Sequence, residues 1–416
     1  MDFFEYKNGE LHCEDSKLSL LAERYGTPSY IYSQSTLLKH CRRLLQAFSN
    51  YPTTACFAVK SNSNHTVLKT IFEEGFGADL VSAGELQRSL SAGVDPSKIV
   101  FSGVGKLDNE ILMALDANIM SFNVESDFEL HSIARLAAVR KKVARVSLRI
   151  NPNIDAKTNE KIATGLYSTK FGIPETELQA HLQIIKNSPH LKLIGVACHI
   201  GSQITELAPL REAAHRMATI AKDVVAAGFP IELVDMGGGL GIKYSKENAI
   251  ELEDYATTLI DAIKPTGLKL VIEPGRVLVG NIGVLLTQVI GVKKTPQKNF
   301  IIVDAAMNDL IRPTLYGSYH DIIPVVQSLE KTATTLCDFV GPICESSDFL
   351  GKDRTCVVPK AGDLFAIRGC GGYAAIMSGN YNSRAMAPEI IVEGTRERVI
   401  KRRQLLPEIW QYELQD

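Results

Sequence analysis

The chain has 416 residues, 45% of them hydrophobic, which is more than one ordinary core requires and suits two domains or a barrel with an appendage. Its 45 basic and 47 acidic residues leave a formal charge of -2, which removes the electrostatic case for binding nucleic acid or an anionic membrane surface. A small-molecule role is the expectation that remains.

The amino terminus, "MDFFEYKNGELHCED", has neither a basic n-region nor a long apolar h-region, and no uninterrupted apolar run of about 18 residues follows anywhere. These features predict a soluble, cytoplasmic protein. Residues 1–27 read as strand-like. From about Tyr30 to about Gly280, eight short apolar runs alternate with longer amphipathic stretches: "ACFAVK", "ADLVS", "KIVFSG", "MSFNVE", "RVSLRI", "IGVACHI", "ELVDMGG" and "LKLVIEPG". Between them lie helix-spaced segments such as "HTVLKTIFEEGF" and "PLREAAHRMATIAKDVVAAGF", which often end in Gly. This beat predicts a parallel (β/α)8 TIM-like barrel. A doubly wound sheet is the rival, but it would more often carry a G-x-G-x-x-G turn after its first strand, and none is there. Beyond Gly280 the runs "IGVLLTQVIGVKKT", "NFIIVDAAM", "RTCVVP" and "EIIVEGTRERVI" predict a second, mainly antiparallel β domain. The expected division is a barrel over 28–280 and a carboxy-terminal β domain over 281–416, joined by segment 1–27. Eight cysteines are scattered without a C-x-x-C pair, which predicts reduced thiols and no metal site.

In a β/α barrel the reacting groups sit at the carboxyl ends of the strands. Those ends collect Lys60, Asp79, Ser82, Asn123, Arg149, His199, Gly237 to Gly241, and Glu273 to Arg276. A lysine one step past a strand is ordinarily a solvated loop residue, but at a barrel mouth Lys60 would point into a shared pocket. "DMGGGLG" is either a flexible connection or, after the seventh strand, a turn whose backbone approaches a phosphate closely. "EPGR" is either a structural ion pair or a site where Glu273 holds a proton on the ring nitrogen of pyridoxal phosphate while Lys60 forms its Schiff base. His199, in "CHIGSQ", suits stacking on a planar ring better than proton transfer, and Ser202 adds a hydroxyl near the phosphate. "GPICESSDFL" joins a thiol, Cys344, to Glu345, and an inert cysteine is its ordinary reading.

Taken together and in order, "FAVKSN", "SAGEL", "HIGSQI", "GGGLGI", "EPGR", "MNDLIRPTLY", "CESSD" and "GGYAAIMSGNYN" resemble the barrel-type (fold-type III) pyridoxal-phosphate amino-acid decarboxylases, and within them the branch acting on meso-diaminopimelate. The resemblance runs from about Thr27 to about Val392. It implies that Lys60 carries pyridoxal 5'-phosphate, that His199 stacks on the ring and that Glu273 pairs with the ring nitrogen. It places the phosphate with Gly238, Gly239, the turn around Gly275 and Arg276, and Tyr373. It also implies that Cys344 is the proton donor and that Glu345 reads a substrate amine, both reaching the site of the neighbouring subunit in a homodimer. Arg276, Arg312 and Tyr316 would hold a substrate carboxylate, with Tyr373 beside the substrate.

Diaminopimelate carries an ammonium and a carboxylate at its far end, which suits a bidentate arginine and Glu345, whereas ornithine and arginine present only a distal cation. The alternatives are an ornithine, arginine or carboxynorspermidine decarboxylase of the same fold, or a non-catalytic relative that only binds partners. "SAGEL" and "CESSD" each differ by one small residue from commoner glycine-containing forms, and Gly372 stands where alanine is usual. None of these departures removes a reactive group.

Overall fold

The computed structural model describes residues 3–156, 158–162, 164–245, 247–327 and 334–413. The chain forms two compact units, one of residues 40–242 and 248–277, the other of residues 1–39, 243–247 and 278–416.

The first unit is a closed parallel barrel. Its strands are β1 (Thr53–Ala58), β2 (Gly77–Leu80), β3 (Ile99–Phe101), β4 (Ser121–Val124), β5 (Ala144–Asn151), β6 (Leu191–Ala197), β7 (Leu233–Asp235) and β8 (Lys269–Ile272). They pair in chain order, and β8 returns to β1 through Leu270 opposite Thr53. Helices connect the strands, among them His65–Glu73, Ala83–Ser91, Asp127–Val139 and Leu207–Ala226. A parallel barrel is covered on both faces, so its strands read as near-continuous apolar runs rather than as alternation. Cys56, Val100, Ile194, Leu233 and Val271, from β1, β3, β6, β7 and β8, form one buried cluster. Such contact between strands that are not neighbours requires an interior filled by side chains.

Two local devices shape the loops at the mouth. The register of β6 shifts between Leu193 and Gly195, and a Cβ on Gly195 would lie 2.5 Å from Leu233 Cδ1. This irregularity lies four residues before His199, where β6 approaches the mouth. Ser82 and Ser126 cap the helices after β2 and β4, accepting the backbone N–H of Glu85 and Glu129. Ser82 therefore has a structural task at its strand end.

The second unit is built on a mainly antiparallel sheet. Its central strand, Gly283–Lys294, pairs antiparallel with Ser29–Ser33, Asn299–Val303 and Leu364–Arg368. Among the described residues two pairings are parallel, Ser29–Ser33 with Glu389–Glu393 and Asn299–Val303 with Thr334–Val340. The short strands Phe4–Lys7, Glu10–Cys13 and Ser16–Lys17 form a separate sheet. Where the sequence suggests only strands before residue 28, Leu18–Tyr25 is a helix. Leu18 and Leu21, three apart, place one stripe against Ile31, Val284, Leu286, Ile390 and Val392. The preceding strands mask that short helical spacing in the sequence. No helix among the described residues is long and apolar enough to cross a membrane.

Candidate active site

At the end of β1 the chain tightens into a single 3₁₀ turn, Val59–Ser61, which carries Lys60. Its Nζ lies 3.1 Å from Asp79 Oδ2 on β2, and the Asp79 side chain is fully buried. The other oxygen, Asp79 Oδ1, has no hydrogen-bond partner among the described residues. The lysine that ends the first strand is thus held at a buried carboxylate at the barrel mouth, with 40% of its own side chain still exposed.

Across the barrel, β4, β7 and β8 converge on a buried polar knot. Asn123 Nδ2 donates to Asp235 Oδ2 at 3.0 Å and lies 3.2 Å from Glu273 Oε1. Gly237 N–H donates to Asp235 Oδ1 at 2.9 Å. Burial first, then the neighbouring Asp235 and Asp79 carboxyls, push the Glu273 carboxyl well above the usual range, and Lys60 opposes them. Burial raises Asp235 as well, against hydrogen bonds from Gly237, Glu273 and Asn123. Two buried carboxyls so close retain a proton between them unless a cation arrives. Asp235, legible in the sequence only as the start of a glycine turn, is a structural partner of Glu273.

His199 follows β6, and its Nδ1 accepts the backbone N–H of Gly238 at 3.2 Å. That bond assigns the ring proton to Nε2. Burial, with Lys60 and Arg149 nearby, holds the imidazole well below its usual range, so the ring is neutral. Arg149 is itself anchored, with Nη1 2.9 Å from Glu125 Oε1 and its guanidinium 5.0 Å from the Phe171 ring centroid.

The glycine turn packs tightly. Gly237 and Gly239 have φ of +64° and +110°, and a Cβ on Gly238 would lie 2.1 Å from the Glu273 carbonyl oxygen. Only glycine admits the backbone there. Gly275 packs on Ala58 and Ser61, and buried Arg276 donates from Nη2 to Ser202 Oγ at 3.0 Å. Lys60, His199, Ser202, Gly238, Gly239, Glu273, Gly275 and Arg276 therefore all belong to the carboxyl end of the barrel.

The remaining expected residues lie in the second unit. Arg312 is buried at the start of the helix Arg312–Tyr316, with its guanidinium carbon 5.9 Å from the Tyr316 ring centroid. Cys344 and Glu345 are exposed on a bend pinned by Asp348, which accepts the N–H groups of Met307 at 2.7 Å and Ile343 at 2.8 Å. Cys344 N–H donates to Asn382 Oδ1 at 3.0 Å. Hydrogen bonds from Ser347 and Tyr381 hold the Glu345 carboxyl below its usual range. Tyr373 sits at positive φ, +54°, directly after the Gly371–Gly372 pair.

A barrel mouth with a lysine at a buried carboxylate, a neutral histidine and a second carboxyl awaiting a cation suits a planar cofactor with a basic ring nitrogen. The fit is supported by the unpartnered, buried Asp79 Oδ1 and Asn123 Oδ1 and by the raised Glu273 carboxyl. Comparison with known proteins agrees on the class: the pyridoxal-binding domain of the pyridoxal-dependent decarboxylases matches residues 34–280. Within that class the chain belongs to the diaminopimelate decarboxylase family. It is 45% identical to the diaminopimelate decarboxylase of Vibrio cholerae over 99% of both chains. It is 47% identical to that of Neisseria meningitidis serogroup B over 95% of both. The crystal structure of the Helicobacter pylori diaminopimelate decarboxylase complexed with L-lysine superposes with a TM-score of 0.91 at 41% identity, covering 95% of this chain and 99% of that one. The cofactor of the chain is pyridoxal phosphate.

Proposed function

We propose that this enzyme decarboxylates meso-2,6-diaminopimelate to L-lysine and CO2, as the last step of lysine biosynthesis. The observation that carries this reading is the near full-length identity to diaminopimelate decarboxylases, together with the barrel mouth described above. Pyridoxal phosphate, when bound, supplies a sink for the electron pair released as CO2 departs.

The chain's own residues have distinct tasks in this proposal. Lys60 would hold the cofactor, and Asp79 keeps the Lys60 side chain at the mouth. Glu273, buried and able to trade its proton for a charge, holds the proton at the ring nitrogen, and Asp235 with Asn123 fixes its orientation. Neutral His199 would support the ring. Ser202, Gly238, Gly239, Gly275, Arg276 and Tyr373 receive the phosphate. Arg276, Arg312, Tyr316 and Tyr373 meet the substrate, with arginine for the distal carboxylate and Glu345 for the distal ammonium. Cys344 gives its thiol proton to the substrate α-carbon after CO2 has left.

The exposure of Cys344 and Glu345 supports their use by a second copy, in a homodimer with shared sites. A soluble biosynthetic enzyme of the cytoplasm is the setting this reading implies. Purified protein with pyridoxal phosphate and meso-diaminopimelate should release CO2 and lysine in equal amounts. Faster turnover of ornithine, arginine or carboxynorspermidine would move the assignment to a sister activity.

A further inference from the structure

Behind Arg312, in the same unit, lies a buried histidine for which the reaction as described has no use. His320 has 0% exposure. Its Nε2 lies 3.2 Å from Arg312 Nε, and its Nδ1 lies 2.8 Å from the Arg368 carbonyl oxygen. An arginine Nε–H can only donate and a carbonyl oxygen can only accept, so these two neighbours together select one tautomer. The ring is neutral, with its proton on Nδ1 and a lone pair on Nε2 aimed at Arg312.

The surroundings hold that ring in place. Tyr244 meets it edge-on with centroids 5.4 Å apart and planes at 72°. Arg354 Nη2 donates to the His320 carbonyl oxygen at 3.0 Å, fixing the backbone as well. Cys370 Sγ lies 3.8 Å from Nδ1, and burial pushes that thiol up to about 12, so no thiolate competes for the proton. The guanidinium of Arg312 is in turn bracketed. Its Nη2 lies 3.3 Å from Ser318 Oγ, and its central carbon lies 5.3 Å from the Tyr244 ring centroid.

A guanidinium reads a carboxylate through a planar fork, and the fork is useful only if its plane is fixed. We propose that His320 is a positioning residue for substrate recognition, holding the Nε–H of Arg312 so that the guanidinium plane is set for the distal carboxylate of the substrate. This inference rests on the assignment of Arg312 to that carboxylate. A device of this kind acts on KM far more than on kcat, because it orients a binding group remote from the bond that breaks.

Three substitutions separate the possibilities. In His320→Asn the amide can keep a bond toward the Arg368 carbonyl and loses the acceptor for Arg312. Loss of one hydrogen bond to a charged group should raise KM for diaminopimelate about tenfold, with kcat within about twofold. His320→Gln, whose amide oxygen reaches the Nε2 position, should bring KM back to within about threefold of wild type. Arg312→Ala should raise KM by more than either, and adding His320→Asn to it should raise KM no further, since the two act through one contact.

Unchanged KM in His320→Asn beside a raised KM in Arg312→Ala overturns the positioning role alone. Unchanged KM in Arg312→Ala overturns the carboxylate assignment on which it rests. Should the variants fail to fold, nitrogen NMR of wild-type protein with labelled histidine decides the matter. A protonated Nδ1 with bare Nε2 at His320 agrees with the proposal, and a proton on Nε2 ends it.

Discussion

At the barrel mouth Asp79, Asp235 and Glu273 are buried and bonded to Lys60, Asn123 or one another, whereas Cys344 and Glu345 in the second unit lie exposed on a bend. Burying carboxyls costs free energy unless partners or protons compensate, so the mouth is a site whose fold already holds charge in readiness. The bend leaves Cys344 and Glu345 in solvent and concentrates that cost in one buried carboxyl, Asp348. Asp348 orders the bend from behind by accepting two backbone N–H groups, and burial raises it above its usual range. Chemistry that requires a dry, fixed environment is placed on the barrel. On the proposed assignment, the proton donor Cys344 lies on an exposed bend that a second copy would cover.

The largest expected effect tests the first half of this contrast. Lys60→Ala should lower CO2 release on the order of 10⁴-fold and abolish the absorbance of covalently held cofactor. Retained turnover would remove the tether from β1. Cys344→Ala should cost on the order of 10²-fold to 10⁴-fold in kcat while leaving that absorbance intact, since the bend takes no part in holding the cofactor. Co-refolding these two inactive chains sharpens the comparison further. If each site is completed by a second copy, about a quarter of wild-type activity returns, one sound site in half of the dimers. No recovery would mean that each chain supplies its own thiol. Glu273→Gln keeps the size of the side chain and loses its charge, so kcat should fall on the order of 10²-fold to 10³-fold in a protein that still folds.

The same contrast explains what the sequence disclosed. The barrel was legible because strands covered on both faces are apolar throughout, and because Lys60, His199 and Glu273 each interrupt such a run at its end. The ordered motifs carried the family. The helix Leu18–Tyr25 was hidden by its brevity, with only Leu18 and Leu21 fully buried. Asp235 was visible as a letter but not as a partner of Glu273, since that relation joins β7 to β8 across 38 residues of chain. His320 gave no signal, because a buried histidine and a surface one look alike in "YGSYHDI" until the fold brings Arg312 and Arg368 to its two nitrogens.

The smallest effect concerns stability, and its sign follows from the buried knot. Folding raises the Glu273 and Asp235 carboxyls above their ordinary values of 4.5 and 3.8, burial being the main cause for both. The folded chain therefore keeps protons that the unfolded chain has released. Their contribution to stability is fully present below the ordinary carboxyl range and is lost as pH rises through the raised folded values. Each group contributes a slope of at most about 1.4 kcal/mol per pH unit within that window. Exposed Glu345 and half-buried Glu408 have lowered values and act in the opposite direction at acid pH, so the wild-type profile alone mixes the two. The difference between wild type and Glu273→Gln isolates the knot. In cofactor-free protein, urea midpoints of wild type should fall relative to Glu273→Gln as pH rises above about 4.5, the unperturbed glutamate range. Pyridoxal phosphate should shrink that difference, because a protonated ring nitrogen beside Glu273 gives the carboxylate the partner it lacks. A difference that persists unchanged in the holoenzyme would mean that Glu273 and the ring nitrogen do not meet.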